Sequence, residues 1–258
     1  MALKQLIVPL NDTVESLTAF RFVLRNFGFD KNVLNIIWLG KKHLYSEKSV
    51  DVNLHSAMIK LGVMNLQFQI LIKDILENEF TDIKTNINVV TLGIFTKREF
   101  TDYCSYADIL FSTFGVYLEH IYPLFKQSST GKKTIKSCCP KILMSNHLES
   151  VDNIILVKTD QVNTISTVKQ FCHVYNENCK GKELNVLDLQ EFDNKRVRFG
   201  SQKMLVDYLK NHVTSPATYS YAEEGPDKLK TILNLNNNTV WVSPLESIEE
   251  VKFIIKKK

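Results

Sequence analysis

Two aspartates stand where a bound ligand could meet them, because each follows an apolar segment typical of a buried strand. Asp12 comes after LIVPLN, and Asp160 comes after NIILVKT. Open α/β sheets bind small molecules at the carboxyl ends of their parallel strands, so both carboxylates could contact a ligand. Each could equally cap a helix, and Glu15, three residues after Asp12, fits a capping box. Capping explains both aspartates without a ligand, so they leave binding open.

The segment STGKKT at 129–134 invites comparison with a phosphate-binding P-loop. A P-loop needs a glycine five residues before Gly131 and a serine or threonine directly after Lys132. Lys126 and Lys133 occupy those two positions. The segment therefore predicts a basic surface loop.

Cysteine and histidine are present but not in catalytic or metal-binding spacing. Cys172 and His173 are neighbours on a predicted helix, where adjacent side chains point about 100° apart. Cys138 and Cys139 are neighbours on an extended segment, where side chains point to opposite faces. The five cysteines contain no C-x-x-C, and the six histidines contain no H-x-x-H. We expect no catalytic residue, no metal site and no disulfide framework.

Composition excludes several other classes of protein. The chain has 258 residues, 44% of them hydrophobic, and a formal net charge of +4. This mild charge is not typical of a nucleic-acid-binding protein. The N-terminus lacks the apolar core and cleavage pattern of a signal peptide, and no segment reaches the roughly 20 apolar residues that cross a bilayer. We expect a cytoplasmic protein that binds neither nucleic acid nor a membrane.

The chain repeats itself, and the repeat predicts its architecture. Leu6 aligns with Ile154 at an offset of 148 residues, and the register holds without a gap for more than twenty residues. In each copy a continuous apolar run is followed by apolar residues spaced three and four apart, which indicates a buried strand and then a helix. LNIIWL at 34–39 then matches LNVLDL at 184–189. Strand, helix and strand predict a parallel pair with a right-handed crossover.

The remaining elements continue this alternation. In the first half we predict helices at 53–79, 96–107 and 116–126 and strands at 87–95, 108–113 and 140–145, the last closing the sheet as its fifth strand. In the second half we predict helices at 201–212 and 226–234 and strands at 217–222 and 239–243. The final residues, ESIEEVKFIIKKK, fit a helix to the terminus or a short helix before a strand VKFII. The predicted domains are 1–147 and 148–258, packed directly together.

This pattern resembles the universal stress protein family over most of the chain. The segments that carry the resemblance are IVPLNDTVESLTAFRFVL, YADILFST and SCCPKILMS. The resemblance implies a Rossmann-like α/β fold, similar to that of the adenine nucleotide alpha hydrolases. It implies two tandem doubly wound parallel-sheet domains related by pseudo-twofold symmetry, which pair within one chain. It also implies a role in the stress response.

Relatives in this family that bind ATP carry G-x-x-G, nine further residues, and then Gly with Ser or Thr, just after the fourth strand. Glycines let the backbone approach phosphate oxygens. In that register this chain has Ser112, Gly115, Phe125 and Lys126, so only Gly115 matches. The second half, with WVSPLESIEEVK, has no glycine there.

The resemblance implies candidate nucleotide contacts, which are Pro9, Asp12, Leu39, Ser112 and Gly115 in the first domain and Asp160 in the second. Because the glycines are missing, we expect a non-catalytic regulatory or interaction module that needs no cofactor and in which ATP binding is lost or weak. The alternative is an ATP-binding protein with slow hydrolysis that uses the first domain. Binding of another metabolite, a homodimer and an unknown protein partner stay open.

Overall fold

The computed structural model describes residues 4–11, 13–27, 32–39, 66–67, 69–82, 86–91, 97–121, 123, 139–148, 150–158, 167–169, 171, 182–188, 195–212, 217–221 and 238–243. The chain forms two compact units, Met1–Ile135 and Lys136–Lys258. The predicted domain boundary between 147 and 148 stays a prediction. Within the described residues, no helix is both long and apolar enough to cross a bilayer.

Among its described residues, the first unit has four strands, which lie in the order β3-β2-β1-β4. They are β1 (Lys4–Leu10), β2 (Asn32–Trp38), β3 (Asn86–Thr91) and β4 (Ile109–Thr113). All three pairings are parallel. Residues 6–10 of β1 and all of β4 are buried, as expected for strands that are covered on both faces. The predicted doubly wound α/β fold is confirmed in this unit.

Helices connect and cover these strands. They are α1 (Val14–Phe27), α2 (residues 66–67 and 69–78), α3 (Lys97–Ser105) and α4 (Phe114–Val116), and α4 continues into a π-helical turn, Tyr117–Ile121. The α1 helix buries one apolar face, and its Phe27 ring lies 5.1 Å from the ring of Phe111 in β4. Arg21 of α1 donates from its Nε to Glu79 Oε2 at 2.6 Å and makes a second bond to the same carboxylate. These contacts place α1 against the sheet and against the end of α2.

In the part of the second unit that the structure describes there are five strands, in the order β5-β9-β6-β7-β8. They are β5 (Lys141–Met144), β6 (Asn153–Lys158), β7 (Glu183–Asp188), β8 (Ala217–Tyr221) and β9 (Thr239–Ser243). Pairings among β6, β7, β8 and β9 are parallel, and β5 pairs antiparallel with β9. The strand predicted at 140–145 is therefore present, but its described partner in this unit is β9. Helix α5 (Lys195–His212) begins six residues before the predicted start.

Equivalent strands of the two units carry the same order, β3-β2-β1-β4 and β8-β7-β6-β9. A row of amide side chains shows the correspondence in detail. In the first unit Asn35 Nδ2 donates to Gln5 Oε1 at 2.9 Å, and Asn88 Nδ2 donates to Asn35 Oδ1 at 3.3 Å. Asn153 and Asn185 hold the matching positions of β6 and β7. The repeat that the sequence predicts is therefore a repeat of structure.

Several predicted features lie outside the described residues. They are the N-terminal part of the helix at 53–79, the helix at 226–234, the loop at 129–134, the end of the chain beyond residue 243, and Cys138, Cys172 and His173.

Candidate functional site

The carboxyl ends of β1, β2 and β4 form the edge at which open α/β sheets bind ligands. Leu10, Leu39 and Thr113 stand at these three ends. The backbone amide of Leu39 donates to the carbonyl of Leu10 at 2.8 Å, which joins the ends of β1 and β2. Both leucines are buried. The edge thus has an apolar floor on the side of β2.

Asn11, the residue directly after β1, is the centre of a polar cluster. Its Oδ1 accepts from the Thr13 amide at 3.1 Å and from the Thr13 hydroxyl at 2.6 Å. The hydroxyl of Ser16, which is fully buried, donates to the carbonyls of Asn11 and Thr13 at 2.9 and 2.8 Å. These bonds form an Asx turn that leads into α1. They also fix the orientation of the Asn11 side-chain amide, because Oδ1 accepts both hydrogen bonds from Thr13 and Nδ2 therefore points away from Thr13.

The other end of the Asn11 amide meets His120. Asn11 Nδ2 lies 3.1 Å from His120 Nε2. Since Nδ2 can only donate, Nε2 is the acceptor, and the neutral imidazole then carries its proton on Nδ1. The carboxylate of Glu119 lies 3.9 Å from the same Nε2 and is exposed to solvent. The site therefore joins an amide, an imidazole and a carboxylate at one edge.

The π-helical turn positions His120 for this contact. Tyr117 and Ile121 are buried at its two ends, with 1% and 0% of their surfaces exposed, and they hold the turn against the core. A π-helical turn holds an extra residue compared with an α-helical turn, and such turns often occur at functional sites. Here it brings His120 into contact with a residue 109 positions earlier.

The end of β4 is closed by side-chain bonds of its own. The hydroxyl of Ser112, a fully buried residue, donates to the Thr113 carbonyl at 3.1 Å. Thr113 is the N-cap of α4, and its Oγ1 accepts from the Val116 amide at 3.4 Å. Gly115 lies within this helical turn and is half-buried. The chain therefore becomes helical directly after β4.

The structure places four of the six predicted nucleotide contacts. Pro9 and Leu39 are buried at the ends of β1 and β2, and Ser112 and Gly115 lie at the end of β4. Asp12 and Asp160 lie outside the described residues. Nucleotide binding by these residues stays a prediction. Among the described residues, no group of three or more His, Cys, Asp or Glu could hold a metal ion.

Two prominent members of the site, Asn11 and His120, were not predicted from the sequence. Asn11 had a local signal, because asparagine directly after an apolar strand and two residues before Thr13 is typical of an Asx turn. His120 had none, since its role depends on a π-helical turn that no local pattern indicates. Both residues belong to the first unit.

The corresponding edge of the second unit is different. It includes Lys141 of β5, which is 0% exposed and lies opposite Ser243, the last residue of β9. Lysine is seldom fully buried unless its charge is compensated. The residue after Ser243 is Pro244, which has no backbone amide to offer a ligand.

Comparison of the sequence with known proteins gives no match. No family model matches the chain, and no curated protein does so at a significant level.

Comparison with solved structures finds proteins of similar fold. A universal stress protein from Archaeoglobus fulgidus DSM 4304 covers 93% of this chain and 95% of its own, with a TM-score of 0.57 and 10% identity. A protein of Pseudomonas aeruginosa UCBPP-PA14 assigned to the universal stress proteins has a TM-score of 0.44 over 99% and 98% of the two chains, at 10% identity. The cytoplasmic domain of a prokaryotic cation chloride cotransporter has a TM-score of 0.47 over 96% of each, at 13% identity. Taken with the strand order, the Archaeoglobus structure shows that this chain has the universal stress protein fold.

Proposed function

We propose that this protein is a non-catalytic, universal stress protein-like regulatory or interaction module in which ATP binding is lost or weak. The observation that carries the proposal is the bonding at the end of β4. The Ser112 side chain lies where ATP-binding relatives have glycine, and the Thr113 side chain accepts from a backbone amide that could otherwise donate to a phosphate. Cytoplasmic location and pairing of the two domains within the chain are part of the proposal.

The first argument concerns space. A phosphate cradle needs glycine where the backbone must approach the phosphate oxygens, because a Cβ would fill that space. Ser112 stands at the first glycine position, and its side chain is fully buried and bonded to the Thr113 carbonyl. The sequence also places Phe125 and Lys126 where the second glycine and the serine or threonine are expected. The residues present do not fit a triphosphate.

The second argument concerns donors. The amides of a helix's first turn are the groups that would bind a phosphate. The Val116 amide already donates to Thr113 Oγ1, and Asn11 Nδ2 is already directed at His120 Nε2. A phosphate would have to displace these contacts before it could use the same donors. That cost weakens any binding at this edge.

The alternative is an ATP-binding protein with slow hydrolysis, in which Asp12, Gly115 and the backbone amides of 112–116 contact the nucleotide. Gly115 favours it, because this glycine is half-buried at the ligand edge and matches the family pattern. The alternative requires the Thr113 cap to open when nucleotide binds.

Thermal unfolding with millimolar ATP or ADP and magnesium distinguishes the two proposals. A ligand present at about 100 times its Kd stabilises the native state by about 2.7 kcal/mol, and at about 2–4 °C per kcal/mol this raises Tm by roughly 5–10 °C. We expect ATP or ADP to raise Tm by less than about 1 °C, which corresponds to a stabilisation of about 0.3 kcal/mol. A shift of several degrees that Asp12→Ala abolishes would support the alternative and reject our proposal.

A restored motif provides the positive control. The triple variant Ser112→Gly, Phe125→Gly and Lys126→Ser recreates the family pattern around Gly115. We expect a fluorescent ATP analogue to give a saturable signal with this variant and none with the native chain. ATP turnover should stay at the background rate in the native protein. Saturable binding to the native chain as tight as that to the triple variant would contradict the proposal directly.

A further inference from the structure

Strand β3 leaves an open edge on the sheet of the first unit. It lies at the end of the order β3-β2-β1-β4, and in the part of the chain that the structure describes it pairs with β2 alone. Proteins usually protect such an edge with charged side chains, proline or a bulge. The sequence NINVVT has no charge and no proline, and its register with β2 runs without interruption from Asn86 to Thr91. This edge is therefore competent to pair with another strand.

The β3 strand is partly exposed to solvent. Asn86, Asn88 and Val89 of the strand are exposed. Among the described residues, six of the eight exposed large hydrophobic side chains lie in β3, in the helices α2 and α3 that precede and follow it in the chain, or directly after α3. These six are Leu66, Ile70, Leu71, Val89, Tyr103 and Tyr106. Val89 is thus an exposed apolar side chain on an uncharged edge strand.

The amide row points to what pairs with this edge. Asn35 and Asn88 continue a line of hydrogen-bonded amides that begins at Gln5, and the line ends at the open strand. A second β3 that runs antiparallel and is centred on Asn88 would place Asn88 opposite its own copy. The same register would place Ile87 opposite Val89, a favourable pair of β-branched residues. The edge is complementary to itself.

We propose that β3 is a dimerisation edge, on which the β3 strand of a second copy of this chain adds antiparallel about a twofold axis at Asn88. An uncharged edge gives no basis for selecting a charged partner, whereas a twofold axis only requires that one surface match itself. The main-chain bonds of the added strand supply affinity, and the Ile87 and Val89 contacts set the register. This inference does not depend on whether the protein binds nucleotide.

Sedimentation velocity of the full chain tests this, from low micromolar to several hundred micromolar protein. We expect a reversible monomer–dimer equilibrium in the native protein. Val89→Lys should weaken the dimer by about tenfold or more, because it places two like charges near the axis. Val89→Glu should do the same, and an equimolar mixture of the two variants should form heterodimers. Met204→Lys, which makes the same change at an exposed position on α5, should dimerise like the native chain.

Two results would overturn the proposal. One is a native chain that stays monomeric over the whole concentration range. The other is a dimer whose affinity is the same in Val89→Lys, Val89→Glu and Met204→Lys, since a dimer that tolerates charge at Val89 must use another surface. Circular dichroism of each variant confirms that it is folded, and recovery of dimer in the mixed sample excludes misfolding as the cause of dissociation.

Discussion

The amide row of the two units offers a reciprocal test of what stabilises the sheets. In the first unit the Gln5 side chain reaches Asn35 Nδ2 at 2.9 Å. In the second unit the residue at the Gln5 position is Asn153, which is one methylene shorter, and Asn185 Nδ2 is buried without a hydrogen-bond partner in the described structure. The shorter side chain explains the unsatisfied donor. Exchanging the two residue types should therefore move stability in opposite directions in the two units.

Asn153→Gln should stabilise the second unit. A buried donor without a partner costs about 1–3 kcal/mol, and the longer side chain of glutamine loses about 0.5 kcal/mol more rotamer entropy than asparagine when it is ordered. We expect a net gain of about 1 kcal/mol in the free energy of unfolding. Gln5→Asn should destabilise the first unit by about 1 kcal/mol, since Asn35 Nδ2 then keeps only a weak contact, 3.5 Å long, to the Leu6 carbonyl.

The two tryptophans allow each unit to be followed separately. Trp38 lies in β2 of the first unit and Trp241 lies in β9 of the second. Urea unfolding in a Trp38→Phe background reports the second unit, and unfolding in a Trp241→Phe background reports the first. Asn153→Gln should raise the urea midpoint followed by Trp241 fluorescence, and Gln5→Asn should lower the midpoint followed by Trp38 fluorescence.

Asn185→Leu provides the matched control, because it removes the unsatisfied donor with little change in volume. In this background Asn153→Gln should lose its benefit, and the double-mutant cycle isolates the new hydrogen bond. The reasoning is refuted if Asn153→Gln leaves the Trp241 midpoint unchanged or lowers it, or if its gain persists in the Asn185→Leu background.

Two further substitutions test the contacts that hold α1. Glu79→Gln should cost up to about 1 kcal/mol at neutral pH, because partly exposed ion pairs contribute little. The hydrogen bond from Arg21 lowers the pKa of Glu79, so its stabilisation is present above the unfolded carboxyl pKa and is lost as pH falls through the lowered folded pKa. Urea midpoints of native and Glu79→Gln protein should therefore converge in acid, and a constant difference would contradict this. Asn11→Ala should cost about 1 kcal/mol in thermal melts, and Asn11→Asp, which retains the acceptor for Thr13, should recover part of it; equal losses would exclude the Asx turn as the cause.

Local pattern predicted the strands well and the helix boundaries less well. The opening strands of both units were predicted because continuous apolar runs such as LIVPL are typical of strands buried on both faces. The start of α5 was missed by six residues, since KRVRFG carries charges and a glycine instead of an apolar period. The pairing of β5 with β9 could not be predicted, because it joins segments about 100 residues apart.

The candidate site was less predictable than the fold for the same reason. The sequence indicated which residues end the strands, and four of the six predicted contacts lie at the described strand ends. The contact between Asn11 and His120 depends on a π-helical turn and on the packing of Tyr117 and Ile121. Neither the turn nor the contact follows from spacing along the chain.

The two units share the asparagine in the middle of their second strands but differ in the residue that follows their first strands. Asn35 recurs as Asn185 inside the sheet, whereas the position of Asn11 is held by Thr159 in the second copy. Internal positions are constrained by packing in any protein with this fold, while edge positions are constrained only by what they bind. Because Asn11 and Thr159 differ in chemistry, a ligand or partner at these strand ends would meet two different surfaces. Ligand binding should therefore be followed by the fluorescence of Trp38 and of Trp241 separately. Equal fluorescence changes of the two tryptophans would contradict this asymmetry.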